Sequence, residues 1–123
     1  MDILDVLKKI IADIMDIDEQ EIDRETYLIR DLNMESIDLL ELSVAINSQF
    51  KIDVEDDKAF LKDLRFILKE IDHNTSLDNY LSNQYPHLSK SRIDEILADL
   101  ENGPVLKLKD VEQYINYTLH SHG

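Results

Sequence analysis

Apolar residues recur at intervals of three and four along much of this chain, the spacing that places side chains on one face of an α-helix. The pattern predicts a first helix over 2–15, capped by Asp2, and a second over 36–50, which contains neither glycine nor proline. The stretch between them, 16–35, is predicted to be a loop, and loops of that length usually carry function. The apolar positions that define the two helices are Ile3, Leu7, Ile10 and Ile14, followed by Leu39, Leu42, Ile46 and Phe50.

Beyond the second helix the apolar pattern continues in shorter segments. Residues 52–57 alternate apolar and polar side chains, which predicts an extended connector. Helical spacing returns over 58–71. A further short helix is predicted to end before Tyr85, because a residue that precedes proline disfavours helical backbone angles.

The last third of the chain predicts two more helices. Either Ser89 or Ser91 can cap the first of them, and the Asn-Gly-Pro sequence at 102–104 ends it. The last helix is predicted over 109–119. Since every one of these helices has an apolar face to bury, we expect an all-α bundle around one core, with 1–123 as a single domain.

The composition excludes several classes of protein. No run of residues approaches the roughly 20 apolar residues of a membrane span. The first residues lack the basic start and apolar stretch of a secretory signal, so a cytoplasmic location is expected. Because there is no cysteine, disulfides, thiolate metal sites and a cysteine nucleophile are excluded.

The charge is strongly negative and uneven. The formal net charge is −14, and residues 1–57 hold 17 of the 27 acids but only 5 of the 13 bases. Nucleic acid is excluded as a partner, because phosphate binding needs a basic surface. Basic protein surfaces are favoured instead, and the function is expected in the acidic half.

Ser36 stands at the predicted start of the second helix, among acidic residues. Asn33, three residues earlier, can adopt a left-handed turn. A serine in this position usually serves as a helix cap. Here, however, the next residue is the apolar Ile37, followed by the carboxylates of Asp38 and Glu41 one turn apart, which suits docking better than capping alone.

These residues resemble the acyl carrier protein family, whose members carry 4′-phosphopantetheine on the serine of an Asp-Ser-Leu motif at the head of the second helix. The motif here is Glu-Ser-Ile, centred on Ser36. The similarity runs over 6–54 and resumes at 111–116. It implies an acyl-carrier-like helical bundle with additional helices, over 58–106, inserted between the second helix and the last.

The resemblance implies a function as well. A phosphopantetheinyl transferase is expected to attach the arm of coenzyme A to Ser36, and the monomeric carrier would deliver acyl thioesters to enzymes of fatty acid, lipid or polyketide-type biosynthesis. It would carry cargo without being an enzyme. Residues expected to meet the basic docking surfaces of partners are Asp31, Glu35, Ile37, Asp38, Glu41, Val44 and Val54. Those expected to shelter the acyl chain are Leu28, Ile29, Leu42 and Ile46.

The chain departs from the family pattern in three places. Asn33 replaces the usual glycine and Glu35 the usual aspartate, and both changes keep the backbone preference or the charge. The end of the second helix, 47–49, lacks the usual acids. The additional segment 58–106 either enlarges the acyl cavity or forms a surface for one dedicated enzyme.

Other functions are less consistent with the sequence. Within carriers, an aminoacyl or peptidyl carrier is the alternative, and outside them an unmodified helical interaction protein. No Gly-x-Ser-x-Gly motif or nearby histidine would activate Ser36 as an enzyme nucleophile. A calcium loop beginning at Asp16 is rejected because Glu21 occupies the position that requires glycine. Solvent-exposed surface positions, without a metal, are expected for His73, His87, His120 and His122.

Overall fold

The computed structural model describes residues 2–70 and 76–121, and the all-α prediction is confirmed there, since no β-strand occurs in these two ranges. An isolated antiparallel bridge pairs Tyr27 with Lys107. Two 3-10 turns lie at Glu19–Glu21 and Leu100–Asn102. The helices are α1 (Ile3–Met15), α2 (Ser36–Phe50), α3 (Asp56–Ala59), α4 (Leu64–Glu70), α5 (Leu77–Gln84), α6 (Lys90–Asp99) and α7 (Leu108–Ser121).

The first helix begins where the sequence predicts. The Asp2 carboxylate accepts a hydrogen bond from the amide of Leu4 at 3.0 Å, which satisfies one of the free amides at the helix start. The helix ends at Asp16, which adopts a left-handed conformation with φ of 55°. Leu7 and Ile11 are fully buried where α1 packs against α2 and α7.

The buried apolar residues form one cluster, to which both halves of the chain contribute. Leu42 and Ile46 enter it from α2, and Ile115 enters it from α7. Ile93 and Ile96 of α6 are also fully buried in it. The additional segment is therefore built into the core.

The prediction of one continuous helix over 58–71 is wrong. The connector lacks regular structure up to Glu55, and α3 already begins at Asp56. Helix α3 ends in a turn, where the amide of Lys62 donates to the carbonyl of Asp57 at 3.0 Å. Leu61 in this turn has a left-handed backbone, with φ of 55°. The apolar spacing does not reveal this break, because the buried side chains would share one face of a continuous helix as well. Residue 71 lies outside the described residues.

Serine side chains cap two of the additional helices, and the sequence predicts only the second of these caps, at Ser89 or Ser91. The Ser76 hydroxyl accepts from the amide of Asn79 at the start of α5. At the start of α6 the cap is Ser89, whose hydroxyl accepts from the amide of Arg92 at 3.1 Å. Gly103, with φ of 120°, follows α6 and its 3-10 extension, a conformation that favours glycine.

A buried ion pair joins α6 to the start of α7. The guanidinium of Arg92 meets the carboxylate of Asp110 through two hydrogen bonds, Nε to Oδ1 at 2.7 Å and Nη2 to Oδ2 at 2.8 Å. Nη2 also donates to the carbonyl of Val105 at 2.7 Å, and the amide of Lys107 donates to Asp110 at 2.9 Å. Because both side chains are buried, these partners must compensate for the water that the two charges lose.

Candidate functional site

A tight turn leads into the second helix. Asn33 has the left-handed backbone that the sequence predicts, with φ of 59°. Its amide donates to the carbonyl of Ile29 at 2.9 Å, and the amide of Met34 donates to the carbonyl of Leu28 at 3.2 Å. The side chain of Met34 is buried, so it anchors this turn in the core two residues before Ser36.

Ser36 is the first residue of α2 and does not cap it. The cap is Glu35, in an extended conformation, and its amide donates to Oδ2 of Asp38 at 2.8 Å. The amide of Leu39 donates to the carbonyl of Glu35 at 3.0 Å. Ser36 is exposed, and its hydroxyl makes no hydrogen bond with any residue that the structure describes. The hydroxyl is therefore accessible to another molecule.

The start of α2 suits a bound phosphate. Amides in the first turn of a helix lack partners within the helix, and the helix dipole adds partial positive charge there. A phosphate on the Ser36 hydroxyl would lie near these amides. The carboxylates of Glu35 and Asp38 oppose such a charge, although Asp38 is already engaged by the amide of Glu35.

An apolar strip runs along the outside of α2. Ile37 and Val44, both expected to bind partners, are 62% and 59% exposed, and Leu40 between them is 56% exposed. Sequence reasoning missed Leu40, although its spacing of three from Ile37 and four to Val44 places it on their face. The exposed Glu41 lies on the same helix. We call Ile37, Leu40, Glu41 and Val44 the outer face of α2.

Besides Glu35, two residues that were expected to bind partners lie outside this helix and have structural contacts. Asp31 is exposed, but its Oδ2 accepts a hydrogen bond from the amide of Tyr27 at 2.9 Å. Val54 is half-buried, and its amide donates to Oδ1 of Asn47 at 2.9 Å. Both contacts fix the chain on either side of α2.

The expected acyl-cavity residues lie in or beside the core. Leu28, Leu42 and Ile46 are at most 1% exposed, and Ile29 is half-buried against them. Cavities of about 450, 230 and 330 Å³ lie elsewhere, around Pro86 and His87 near α7, and none of these four residues lines them. That the four residues shelter an acyl chain stays a prediction.

The expectation that His87 is solvent-exposed is wrong. His87 is only 7% exposed, and its ring lies edge-on to those of Tyr85 and Tyr114, with centroids 6.2 and 5.3 Å away. Burial lowers the pKa of His87 to about 4, against a smaller opposite effect of Asp110. The sequence contains no signal for this, because His87 lies between helices and its burial depends on tertiary packing.

The other histidines give a mixed outcome. His120 is exposed, as expected, and its Nδ1 lies 2.7 Å from the carbonyl of Asn116. His73 and His122 lie outside the described residues. Within 2–70 and 76–121, no group of three or more metal-binding side chains is placed to hold an ion.

Comparison with protein families gives one match that spans the second helix. Residues 5–65 match the family described as "Phosphopantetheine attachment site". This range contains the turn at Asn33, the exposed Ser36 and the whole outer face of α2. It ends before most of the additional segment.

Individual relatives agree with the family match. An acyl carrier protein of Buchnera aphidicola is 42% identical over 53 residues, which are 43% of this chain and 68% of the relative. One from Picosynechococcus is 40% identical over 58 residues, 47% of this chain and 72% of the relative. One from Helicobacter hepaticus is 32% identical over 59 residues, 48% of this chain and 78% of the relative.

No solved structure matches the chain. Within the residues described, no helix combines the length and apolar character that crossing a membrane requires.

Proposed function

The chain belongs to the acyl carrier protein family, and from this premise we propose that Ser36 is the residue that receives its phosphopantetheine arm. As a member it is a carrier and not an enzyme, and 4′-phosphopantetheine is its covalent cofactor. The observation that carries the proposal is the exposed Ser36 hydroxyl at the start of α2, left free because Glu35 and Asp38 cap the helix. When attached, the arm supplies a thiol that holds acyl groups as thioesters.

The residues around Ser36 support attachment in two ways. The turn at Asn33, anchored by the buried Met34, fixes the position of the hydroxyl. In the transfer, the Ser36 oxygen loses its proton and bonds to the phosphorus that bears the pantetheine of coenzyme A, while the adenosine bisphosphate half leaves. The free amides at the start of α2 then lie near the new phosphodiester.

The outer face of α2 supports docking of partner proteins. Its apolar side chains, Ile37, Leu40 and Val44, can be buried by a partner. Glu41 on this face and Glu35, which caps the helix, can attract lysines and arginines. We assign this surface to the transferase and to the enzymes that load and accept acyl groups. Encounters of this kind are fast and weak, which allows a carrier to move between enzymes.

The finer assignments are proposals too. We place the carrier in the cytoplasm as a monomer, acting as one domain over 1–123, with a role in fatty acid, lipid or polyketide-type biosynthesis. The relatives' name supports acyl groups as cargo. The mass of the cargo on protein isolated from its own host distinguishes an acyl group from an aminoacyl or peptidyl group.

The experiment that tests attachment uses purified protein that lacks the arm. Incubation with coenzyme A and a broad-specificity transferase should raise the intact mass by one phosphopantetheine. Ser36→Ala should show no increase, whereas Ser48→Ala, which changes an exposed serine on the same helix, should behave like wild type. Absence of any increase in wild type would instead favour an unmodified interaction protein.

A further inference from the structure

The segment that leads to Ser36 is held by a residue from the additional part of the chain. Asp99, at the end of α6, accepts a hydrogen bond from the hydroxyl of Tyr27 at 2.6 Å. Its other oxygen accepts from Nη1 of Arg30 at 3.2 Å. Arg30 precedes Ser36 closely in the chain. Asp99 of α6 therefore contacts the segment that leads directly to the proposed attachment site.

These groups form a partly shielded cluster. The side chains of Arg30 and Asp99 are only 24% and 17% exposed. The guanidinium of Arg30 lies 3.9 Å from the centre of the Tyr27 ring and also donates to the carbonyl of Gly103 at 3.3 Å. The hydrogen bond from Tyr27, with those from Asn102 and Arg30, lowers the pKa of Asp99, so its carboxylate stays charged. We call Tyr27, Arg30 and Asp99 the Asp99 clamp.

Hydrogen bonds connect the clamp to the turn before Ser36. The amide of Tyr27 donates to the carboxylate of Asp31 at 2.9 Å, and the amide of Asp31 donates back to the carbonyl of Tyr27 at 3.0 Å. The amide of Asn33 donates to the carbonyl of Ile29 at 2.9 Å, directly before Glu35 caps α2. The backbone from Tyr27 to the start of α2 is thus fixed by successive turns.

We propose that Asp99 is a positioning residue for Ser36, holding through Tyr27 and Arg30 the turn that presents the hydroxyl to the transferase. The inference rests on the proposed attachment at Ser36. Without the clamp, only a fraction of molecules holds this turn in the form that the transferase binds, and apparent affinity falls by that fraction. A bound molecule reacts as before. Loss of the clamp should therefore raise KM and leave kcat unchanged.

The test measures steady-state loading of the full chain by intact mass, well below its Tm. Asp99→Ala should raise the KM of the transferase for the carrier by about fivefold to tenfold, with kcat within about twofold of wild type. Tyr27→Phe, which removes only the hydroxyl, should also raise KM, by a smaller factor than Asp99→Ala does. The matched control is Asp94→Ala, which removes an exposed charge from the same helix and should load like wild type.

Hydrogen exchange separates positioning from general stability. In Asp99→Ala the amides of 31–35 should exchange faster, while those of α1 keep their protection. Unchanged KM in both clamp variants, or exchange that accelerates uniformly along the chain, overturns the inference. If Asp99→Ala does not fold, Tyr27→Phe decides the question. Failure of wild type itself to load contradicts the proposed function instead.

Discussion

At the scale of single residues, His87 shows how burial changes chemistry. Burial lowers the pKa of His87 from the ordinary value of 6.5 to about 4. The charge of Asp110 opposes this shift, and the charge of Lys58 adds to it. Above pH 6.5 the ring is neutral in both the folded and the unfolded chain. Between pH 6.5 and 4 the unfolded chain binds a proton that the folded chain does not, so the fold loses stability as pH falls.

We therefore predict a pH-dependent free energy of unfolding. Between pH 7.5 and pH 5 the contribution of His87 should fall by about 2 kcal/mol, because one pH unit corresponds to about 1.4 kcal/mol for one proton. Urea denaturation of wild type and His87→Phe across this range measures it, and carboxylates common to both chains cancel. Equal slopes in the two proteins would contradict the buried, neutral ring.

The conformation and burial of some residues could be predicted from the sequence, and those of others could not. The left-handed turn at Asn33 and the helix start at Ser36 follow from local preferences, so both were predictable. Leu40 could have been found from its spacing to Ile37 and Val44. The burial of His87 could not, because a segment between helices has no periodicity to indicate which side chains face the core.

At the scale of elements, the ion pair between α6 and α7 gives a stability prediction. Arg92→Ala and Asp110→Ala should each lower the free energy of unfolding by about 3–5 kcal/mol, because each leaves a buried charge without its partner. Arg92→Lys should not restore stability, since lysine cannot bond Asp110 and Val105 with the same planar group.

The matched control for this pair removes both charges together. Arg92→Met combined with Asp110→Leu should cost less than either single alanine substitution, because no unpaired charge remains. Urea denaturation of all four variants gives the comparison. A double variant as unstable as the sum of the single ones would contradict this account of the pair, because additive effects mean that the two side chains are not coupled.

The outer face of α2 gives a prediction about docking. Leu40→Ala should raise the KM of the transferase for the carrier by about fivefold, because a partner that covers this side chain loses its contact. The Tm should change little, since more than half of Leu40 is already exposed. Leu77→Ala, an exposed leucine on α5, is the control. Equal KM values for both variants would place the docking surface elsewhere.

Helix ends were more predictable than helix continuity. Asp2 and Ser89 are found as caps because a short polar side chain before an apolar pattern satisfies free amides. The break between α3 and α4 was missed because Leu61 adopts a left-handed conformation that leucine does not favour locally. The energy for that conformation comes from burying Phe60 and Leu61, which only the complete fold reveals.

At the scale of the whole molecule, charge should govern how fast partners arrive. Since 1–57 holds most of the excess acid, the association rate with a basic transferase should fall by about tenfold or more between 20 and 500 mM NaCl. Stopped-flow measurements would detect this. Glu41→Gln should weaken the salt dependence more than Glu101→Gln, whose exposed carboxylate lies in the additional segment. Rates independent of salt would contradict electrostatic steering.

The additional helices lie mostly outside the range, 5–65, that matches the family. Their contacts reach the segment before Ser36 through Asp99, and α7 through Arg92. Neither contact tests whether 58–106 enlarges an acyl cavity or serves one dedicated enzyme, and both hypotheses stay predictions. The sequence predicts helices in this segment, but its contacts involve residues about 70 positions apart, beyond the reach of local patterns.

Attachment at Ser36 is tested most directly by locating the modification on protein isolated from its own host. Trypsin should release the peptide 31–51, which contains Ser36, Ser43 and Ser48. Tandem mass spectrometry should place one phosphopantetheine, with its thioester cargo, on Ser36. A peptide that carries no such group while the cells use their carrier pathway, or a group on Ser43 or Ser48, would contradict attachment at Ser36.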